Sequence, residues 1–592
     1  MSITELPQEV ASNILRNFSA VELAKLSCVS NIFRDFCAFE PLWLNRAAWE
    51  FGVSRKALAS SSHGLLGKDL YLHLLQNTHV TLMGDEWPVE KYRKLFGIPL
   101  YMHPGYCKAI PGLSRKAVSK VVLGDCHAAA LTWSGQLFMF GVSPHGQCGG
   151  GACSTLPLPP GVPQELQGKR ISSVALGTQH TLAVTADGEL LATGSTEHGR
   201  LGLTTEDGFT PSADGNCTCC PTFRRVTFPN DRQICKTAAG SDFSCAVDAD
   251  GGLWTWGKAD RGRLGHSLTV AKGEQREKMV ARPRLVGALD GLRVEQITCA
   301  PTNTLALASD GCVYSWGNGQ QSRLGHGNAK CQFQPCMIQA LPPPGGCVTS
   351  LSLGIATSCC VAHPREQSWE VSDEQQSVGG VGGDLGTREG GARVLTHGWG
   401  GHFQHGFLDP KTRRVPTEAE ELRTVKVHQI SLGVCHSLAI SETGELWGWG
   451  YGGNRGMGMA RYNQGNRQMG PLKLTDSAET LVMSISAWRN ASLLVHCPWD
   501  QVSDGTLHIC AEEPPEPEQP EPKKRPRAPR DPEKKSRSLE ADKAAKEGKK
   551  QQKVLANKVK ASTAPKGKTK QAAKRQAADD NINSKNRKPR KQ

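Results

Sequence analysis

Residues 234–266 read ICKTAAGSDFSCAVDADGGLWTWGKADRGRLGH, and this stretch contains the pattern that decides the fold. An apolar segment is followed by a glycine-containing turn, a second apolar segment and the tight turn Asp250-Gly251. A third apolar segment ends at Gly257, and a loop of small residues follows. Because glycine adopts the positive φ that a two-residue hairpin requires, the pattern predicts three consecutive antiparallel strands.

The pattern recurs along most of the chain. Four further stretches align with the first, at residues 118–150, 171–203, 294–326 and 427–459. Two degenerate copies begin at Val348 and Val482 and resume at Val394 and Asp504, which brings the number of copies to seven. Repeated small sheets of this length bury their faces against their neighbours, so the sequence predicts an all-β propeller with seven blades.

Two residue types recur at fixed positions of this repeat. Tryptophan precedes the glycine after the third apolar segment, at Trp256, Trp316, Trp399 and Trp449. Histidine follows a leucine-glycine pair at His127, His180 and His436. An aromatic residue that recurs in this way is predicted to pack between blades. Two other copies have Phe243 and Asn303 in place of histidine, which argues against a metal site and favours a structural hydrogen bond.

The repeat resembles that of the regulator of chromosome condensation family, over most of residues 104–510. The resemblance implies four-stranded blades, and we assign residues 79–510 to the propeller. We predict that residues 104–110 complete the last blade and so close the ring. Residues 79–84 also resemble a third strand, so either they or residues 506–510 supply that strand of the last blade. Residues 364–393 interrupt the fifth repeat at its hairpin turn and are predicted to form a flexible insertion.

The first 50 residues have helical periodicity and are too few to bury a large core on their own. Their motifs resemble an F-box: Leu6-Pro7-x-Glu9-Val10, Ile14-Leu15, Leu26-Ser27-Cys28-Val29-Ser30, Phe33-Arg34 and Leu42-Trp43. The resemblance implies a small all-α module, residues 1–50, that binds the Skp adaptor and through it a cullin. The implied adaptor contacts are Leu6, Pro7, Val10, Ile14, Leu15, Leu26 and Val29. Residues 51–78 are predicted to form a helical linker to the propeller.

The net charge of +14 is concentrated at the end of the 592-residue chain. Residues 523–592 contain 25 Lys and Arg against seven Asp and Glu, a net charge of +18, so the remaining residues carry −4. The composition predicts a disordered basic tail that follows an acidic, proline-rich hinge at residues 511–522. A nuclear import signal that binds importin is the first interpretation, carried by Lys523, Lys524, Arg525, Arg527, Lys534 and Lys535. Weak non-specific nucleic-acid contact and a purely solubilising tail are the alternatives.

The sequence contains none of the common catalytic motifs. It contains no phosphate-binding loop, no nucleophile elbow and no zinc-protease helix, so we expect no catalytic residue and no cofactor. The densest group of thiols, at residues 217–220, lacks the second cluster that a zinc site needs, and no metal is expected. No apolar run is long enough to cross a membrane. With no export signal, the 21 cysteines are expected to be reduced, in the nucleus and cytoplasm.

Together these features predict a multidomain chain with an F-box, a propeller and a basic tail. The leading hypothesis is a non-catalytic substrate-recognition subunit of a Skp–cullin–F-box ubiquitin ligase, whose propeller holds protein substrates for ubiquitination and degradation. The alternative is a guanine-nucleotide exchange factor or chromatin-associated propeller for a Ran-type GTPase. A light sensor resembling the plant ultraviolet-B photoreceptor is disfavoured, because the repeated Gly-Trp-Arg-His-Thr is replaced by a lone partial likeness at Trp488-Arg489.

Overall fold

The structure, a computed structural model, describes the following part of the chain: residues 40–51, 55, 57, 58, 65, 67–84, 106, 107, 109–203, 209–213, 215, 218–266, 278–343, 346–364, 392–451, 468–489, 491–499, 507 and 508. The chain divides into two units, residues 1–512 and 513–592, and every described residue belongs to the first. The proposed adaptor contacts from Leu6 to Val29, the import residues from Lys523 to Lys535, the hinge and nearly all of the insertion lie outside the described residues.

The described elements begin with two helices, α1 (Glu40–Phe51) and α2 (Gly67–Asn77). Neither described helix is long and apolar enough to span a membrane. The strands β1 (His79–Gly84) and β2 (Tyr106–Cys107) follow, and the repeats come after them.

Seven antiparallel sheets form the blades of a propeller. Blade 1 contains β3 to β6, at Val118–Leu123, His127–Thr132, Leu137–Ser143 and Ser154–Gly161. Blade 2 contains β7 to β11, at Ile171–Leu176, His180–Thr185, Leu190–Ser195, Thr210–Pro211 and Thr218–Arg225. Blade 3 contains β12 to β15, at Ile234–Ala239, Phe243–Asp248, Leu253–Lys258 and Met279–Leu285. Blade 4 contains β16 to β19, at Val294–Cys299, Asn303–Ala308, Val313–Gly317 and Gln332–Met337.

The remaining strands complete the ring. Blade 5 contains β20 to β23, at Gly346–Leu353, Thr357–Pro364, Arg393–Gly398 and Arg413–Glu418. Blade 6 contains β24 to β27, at Val427–Leu432, His436–Ser441, Leu446–Gly450 and Gln468–Lys473. Blade 7 contains β28 (Thr480–Trp488) and β29 (Ala491–Pro498), and β30 (Leu507–His508) follows. The first strand of each blade contacts the first strand of the next, and β28 contacts β3, so the seven innermost strands form a closed ring.

Strand β1 supplies the third strand of blade 7. It pairs antiparallel with β29, with Val80 opposite Val495. Residues 79–84, and not residues 506–510, therefore form the third strand of the last blade. The pair Leu507–His508 instead binds β2. Ala109 bridges Thr81, and the amide of Ile110 donates to the carbonyl of Val80 at 2.7 Å. The prediction that residues 104–110 join the last blade is thus confirmed at Ala109, and an early segment of the chain closes the ring.

The propeller has two faces, which we name by their loops. The loop face carries the turns between first and second strands and the long loops between third and fourth strands. The hairpin face carries the tight turns between second and third strands, where glycines such as Gly251 adopt positive φ (+89°). The strand ends that flank the insertion lie at the hairpin face, where β21 pairs with β22 and Ala362 is opposite Arg393. Pro364 and Arg393, the predicted ends of the insertion, are strand residues.

Helices α1 and α2 dock on the hairpin face of blade 7. His73 donates from Nε2 to the carbonyl of Pro498 at 3.2 Å and stacks on Trp499 with ring centroids 5.5 Å apart. Leu70 and Leu74 of α2 are buried in one hydrophobic cluster that also contains residues of α1, blade 1 and blade 7. This packing fixes the helices at one end of the propeller and leaves the loop face on the opposite side.

Candidate functional site

Tryptophan side chains join neighbouring blades. The indole Nε1 of Trp256 in blade 3 donates to the backbone carbonyl of Arg200 in the loop of blade 2, at 2.9 Å. Trp316 donates in the same way to the carbonyl of Arg263 at 3.0 Å, and Trp449 to that of Gln404 at 3.1 Å. All three indoles are fully buried. For these three residues, the predicted role in packing between blades is confirmed.

Trp399 does not share this position, so the prediction for the fifth repeat was wrong by two residues. Gly398 pairs with Thr357 as Gly257 pairs with Phe243, and the residue before Gly398 is His397. His397 is buried in the position that tryptophan fills elsewhere, whereas Trp399 lies after the strand and is only half-buried. The sequence contains two successive aromatic-glycine pairs here, and backbone register selects the first.

The recurrent histidines also link blades. His180 donates from Nε2 to the hydroxyl of Ser244 at 3.0 Å, and this hydroxyl donates to the carbonyl of Arg200 at 2.6 Å. Equivalent contacts join His127 to Thr181 at 3.0 Å and His436 to Ser492 at 2.8 Å. The predicted structural hydrogen bonds are confirmed.

Burial keeps these imidazoles neutral. It lowers the pKa of His127 to about 3 and that of His436 to about 4, because the charged form would lose its hydration. A Cβ at Gly177 would lie 2.2 Å from Cε1 of His180, which explains why glycine precedes the histidine by three residues. These side chains are enclosed between blades and have the chemistry of structural groups.

A charged network crosses the loop face between blades 2 and 3. Arg200 is almost fully buried and donates from Nη2 to Asp242 at 3.0 Å and to Glu197 at 3.2 Å. Arg263, at the equivalent place in blade 3, lies 2.5 Å from Asp260 and 3.7 Å from Asp242. The buried guanidiniums are held by carboxylates and carbonyls, as burial of a charge requires.

A cleft of about 690 Å³ opens on the loop face beside this network. Its walls come from blades 3 and 4 and from the turn of blade 2 that contains His198. Apolar side chains line its floor, Leu264, Met279 and Phe333, and Met279 and Phe333 expose 47% and 36% of their surface. Lys258, Arg261 and Lys278 lie around the floor. An exposed apolar floor with a cationic rim has the character of a binding surface. No sequence motif marks this cleft, because its walls come from separate repeats.

The cysteines at residues 217–220 are the densest thiol group in the sequence. Cys219 and Cys220 are buried, and Cys153 in the loop of blade 1 places its Sγ 3.0 Å from Sγ of Cys219. The described residues contain no group of three or more His, Cys, Asp or Glu side chains that could hold a metal ion. Cys217 lies outside the described residues.

Comparison with known families agrees with this architecture. The model of the regulator of chromosome condensation (RCC1) repeat matches residues 134–184, 187–247, 250–307 and 310–361. A second RCC1 repeat model matches residues 171–200, 234–263 and 427–456, and the F-box domain model matches residues 3–45. The chain is an F-box protein with an RCC1-type propeller.

Relatives of this F-box protein share the repeat region. Human "E3 ubiquitin-protein ligase HERC2" is 28% identical over 369 residues, which cover 57% of this chain but only 7% of HERC2. "Ultraviolet-B receptor UVR8" of Arabidopsis thaliana is 26% identical over 354 residues, 59% of this chain and 69% of the receptor. The chain thus spans only a small part of HERC2.

Solved structures share the propeller fold. Prp20p of Saccharomyces cerevisiae, studied for its binding properties to Gsp1p and histones, superposes with a TM-score of 0.55 at 18% identity, over 72% of this chain and 93% of Prp20p. A second structure, with a TM-score of 0.54 and 18% identity, contains yeast RCC1 (Prp20) bound to Kap60; the match covers 72% of this chain and 90% of that one. At this identity the likeness concerns the fold alone.

Proposed function

We propose that this F-box protein is the substrate-recognition subunit of a Skp–cullin–F-box ubiquitin ligase. The observation that carries the proposal is the F-box match at residues 3–45 on the same chain as a seven-bladed propeller. The F-box binds the Skp adaptor through Leu6, Pro7, Val10, Ile14, Leu15, Leu26 and Val29, and the adaptor connects the chain to a cullin.

The arrangement of the described residues suits this role. The helix α1, whose first residues overlap the F-box match, packs with α2 on the hairpin face of blade 7. A buried contact of this kind restrains the orientation of the propeller relative to the helices. The loop face, on the opposite side, then receives the substrate. The substrate lysine is held near the ubiquitin-carrying enzyme, and proximity supplies the rate increase.

The chain itself performs no chemistry in this proposal. The recurrent histidines, which would be the natural acid–base groups, are enclosed between blades with lowered pKa values. Catalysis belongs to the other subunits of the complex.

A guanine-nucleotide exchange factor for a Ran-type GTPase is the second candidate. The likeness of the propeller to Prp20p favours it, but fold alone does not determine function. The two candidates separate in an exchange assay with labelled nucleotide: a ligase subunit leaves the release rate at its intrinsic value, whereas an exchange factor raises it.

In this proposal the protein is located in the nucleus and the cytoplasm, and its basic tail directs nuclear import. Lys523, Lys524, Arg525, Arg527, Lys534 and Lys535 serve as an import signal for importin. The structure of Kap60 bound to yeast RCC1 (Prp20), a protein with this propeller fold, supports the proposal. Deletion of residues 523–592 is expected to abolish nuclear accumulation, and unchanged localisation would contradict this assignment.

The decisive experiment is a comparative pull-down. Wild-type chain is expected to recover the Skp adaptor and a cullin, and the double variant Leu6→Ala with Pro7→Ala is expected to lose both. Lys68→Ala, on the exposed side of α2, is the matched control and keeps them. Equal recovery of adaptor by the double variant would reject the proposed function.

A further inference from the structure

We infer that the cleft between blades 3 and 4 on the loop face is the substrate-docking site, and that it takes an acidic peptide segment with one large apolar side chain. The inference rests on the proposed function and names its substrate class. We call this site the blade 3/4 cleft, lined by Lys258, Arg261, Lys278, Met279 and Phe333 among others.

The floor of the blade 3/4 cleft accepts an apolar side chain. Met279 begins β15 and Phe333 lies on β19, so the outer strands of two adjacent blades supply the two exposed side chains. Leu264 is buried beneath them. A volume of about 690 Å³ accommodates one large side chain with its flanking backbone. Burial of such a side chain removes apolar surface from water and so favours binding.

The charge around the floor selects acidic neighbours for that side chain. Among the described residues, the lining contains three cations, Lys258, Arg261 and Lys278, and one carboxylate, Asp260. Asp260 is already paired with buried Arg263 at 2.5 Å. Lys258 lies 4.0 Å from Asp242, which also binds Arg200 and Arg263. Cations therefore outnumber carboxylates among the described residues of the opening, and an anionic peptide is the complementary ligand.

Arg261 is presented on a rigid support. It adopts positive φ (+58°), which is unfavourable for a residue with a side chain, in the middle of a one-turn 3₁₀ helix. The turn packs directly on β19, since a Cβ at Gly262 would lie 2.5 Å from the carbonyl of Gln332. The Arg261 guanidinium donates to Oε1 of Gln320 in the loop of blade 4 at 3.0 Å. A cation positioned in this way loses little conformational entropy when it binds a carboxylate.

The location on the loop face keeps the blade 3/4 cleft accessible in the ligase. The helices α1 and α2 occupy the hairpin face of blade 7. The cleft therefore lies on the opposite face of the propeller from α1, whose first residues overlap the F-box match.

The test is selection from a library of random short peptides displayed on phage, with the full-length chain as bait. We expect enrichment of sequences with several Asp or Glu around one Leu, Ile, Met or Phe. A fluorescein-labelled copy of a selected peptide then gives Kd by anisotropy. Arg261→Glu with Lys278→Glu is expected to weaken binding about tenfold or more, since two favourable charge contacts become repulsive.

The matched control carries the same change of net charge on the hairpin face. Arg170→Glu with Arg293→Glu alters two exposed arginines there and is expected to leave the peptide affinity within twofold of wild type. Phe333→Ala tests the floor separately and is expected to reduce the preference for an apolar residue while the acidic preference persists.

The inference would be overturned by enrichment of neutral or basic peptides, by equal losses in the cleft and control variants, or by a dimer of the chain that the cleft substitutions dissociate. Enrichment that appears only after deletion of residues 511–592 also overturns it, because the acidic hinge of the chain would then be the occupant.

The Skp pull-down on the same variants distinguishes a failure of the cleft assignment from a failure of the ligase proposal. If the cleft variants keep the adaptor but peptide binding shows no acidic preference, only the cleft assignment fails. If peptides bind and wild type recovers no adaptor, the ligase proposal fails.

Discussion

The guanidinium of Arg200 donates from Nη2 to Oδ1 of Asp242 over 3.0 Å and so crosses the junction between blades 2 and 3. Only 1% of the Arg200 surface is exposed, and its Nε and Nη1 donate to the carbonyl of Glu197 and to Oε1 of Gln179. The carbonyl of the same residue accepts from Trp256 and Ser244. One residue of the blade 2 loop therefore binds blade 3 through both its side chain and its backbone.

Replacing this arginine is expected to destabilise the propeller. Arg200→Met keeps much of the apolar stem but removes the donors to Oδ1 of Asp242 and Oε1 of Gln179, at a cost of about 3 kcal/mol in the free energy of unfolding. Urea unfolding followed by tryptophan fluorescence measures the change. The exposed Arg170→Met is the control, with an expected effect below about 0.5 kcal/mol. Equal midpoints for the two variants would show that the buried network contributes nothing to stability.

Two tryptophans that occupy similar sequence motifs are expected to contribute different amounts to the free energy of unfolding. Trp256 is fully buried and joins two blades, so Trp256→Ala costs about 3–5 kcal/mol in the free energy of unfolding. Trp399 is half-buried and lies after the strand, so Trp399→Ala costs about 1 kcal/mol. Thermal unfolding of both variants under one condition checks the order. A larger loss for Trp399→Ala would contradict the register that places His397 between the blades.

Periodicity made most of the fold predictable, because five blades repeat one pattern of apolar segments and tight turns that contain glycine. The closing strand was not decided by sequence, since residues 79–84 and 506–510 have similar patterns and only pairing with β29 distinguishes them. The error at Trp399 arose where two aromatic-glycine pairs follow each other. The blade 3/4 cleft was not foreseen, because Lys258 and Phe333 are separated by one repeat and meet only when adjacent blades pack.

Acid is expected to destabilise the propeller through its buried histidines. The folded-state pKa of His436, about 4, lies below the unfolded value of about 6.5, so the unfolded chain binds more protons between these pH values. Stability is therefore complete above pH 6.5 and falls as the pH decreases toward 4, by about 1.4 kcal/mol per pH unit for each such histidine.

The variant His436→Asn, which reproduces the residue found at Asn303 in blade 4, tests this directly. It is expected to lose about 1 kcal/mol at pH 7 and to make the fall between pH 6 and pH 5 shallower by about 1.4 kcal/mol per pH unit. Urea unfolding at the two pH values supplies the measurement. The exposed His198→Asn removes a histidine that is not buried between blades and serves as the control. An unchanged slope in His436→Asn would disprove the assigned role.

Oxidation is expected to join blades 1 and 2. The sulfurs of Cys153 and Cys219 lie 3.0 Å apart, and Cys153 is the more accessible of the two. Hydrogen peroxide oxidises one thiolate to a sulfenic acid, and the second thiol displaces water from it, so that two thiols and one peroxide give a disulfide and two waters. Peptide mapping without reductant is expected to recover a peptide that links the two residues. A map in which both remain free after treatment, while other cysteines are oxidised, would contradict the prediction.

The docking of α2 is expected to depend on His73. Its Nε2 donates to the carbonyl of Pro498, its Nδ1 accepts from Nδ2 of Asn77 at 3.1 Å, and its ring stacks on Trp499. His73→Ala removes all three contacts and is expected to cost about 2 kcal/mol, whereas His73→Phe keeps the stacking and costs about half as much. Hydrogen exchange of residues 67–77 measures the release of the helix, with Lys68→Ala as control.

The same variants test whether the junction between the helices and the propeller positions the substrate. If release of α2 is accompanied by slower substrate ubiquitination at unchanged adaptor binding, the rigid junction positions the substrate. Faster exchange with normal ubiquitination would mean that the junction serves stability alone.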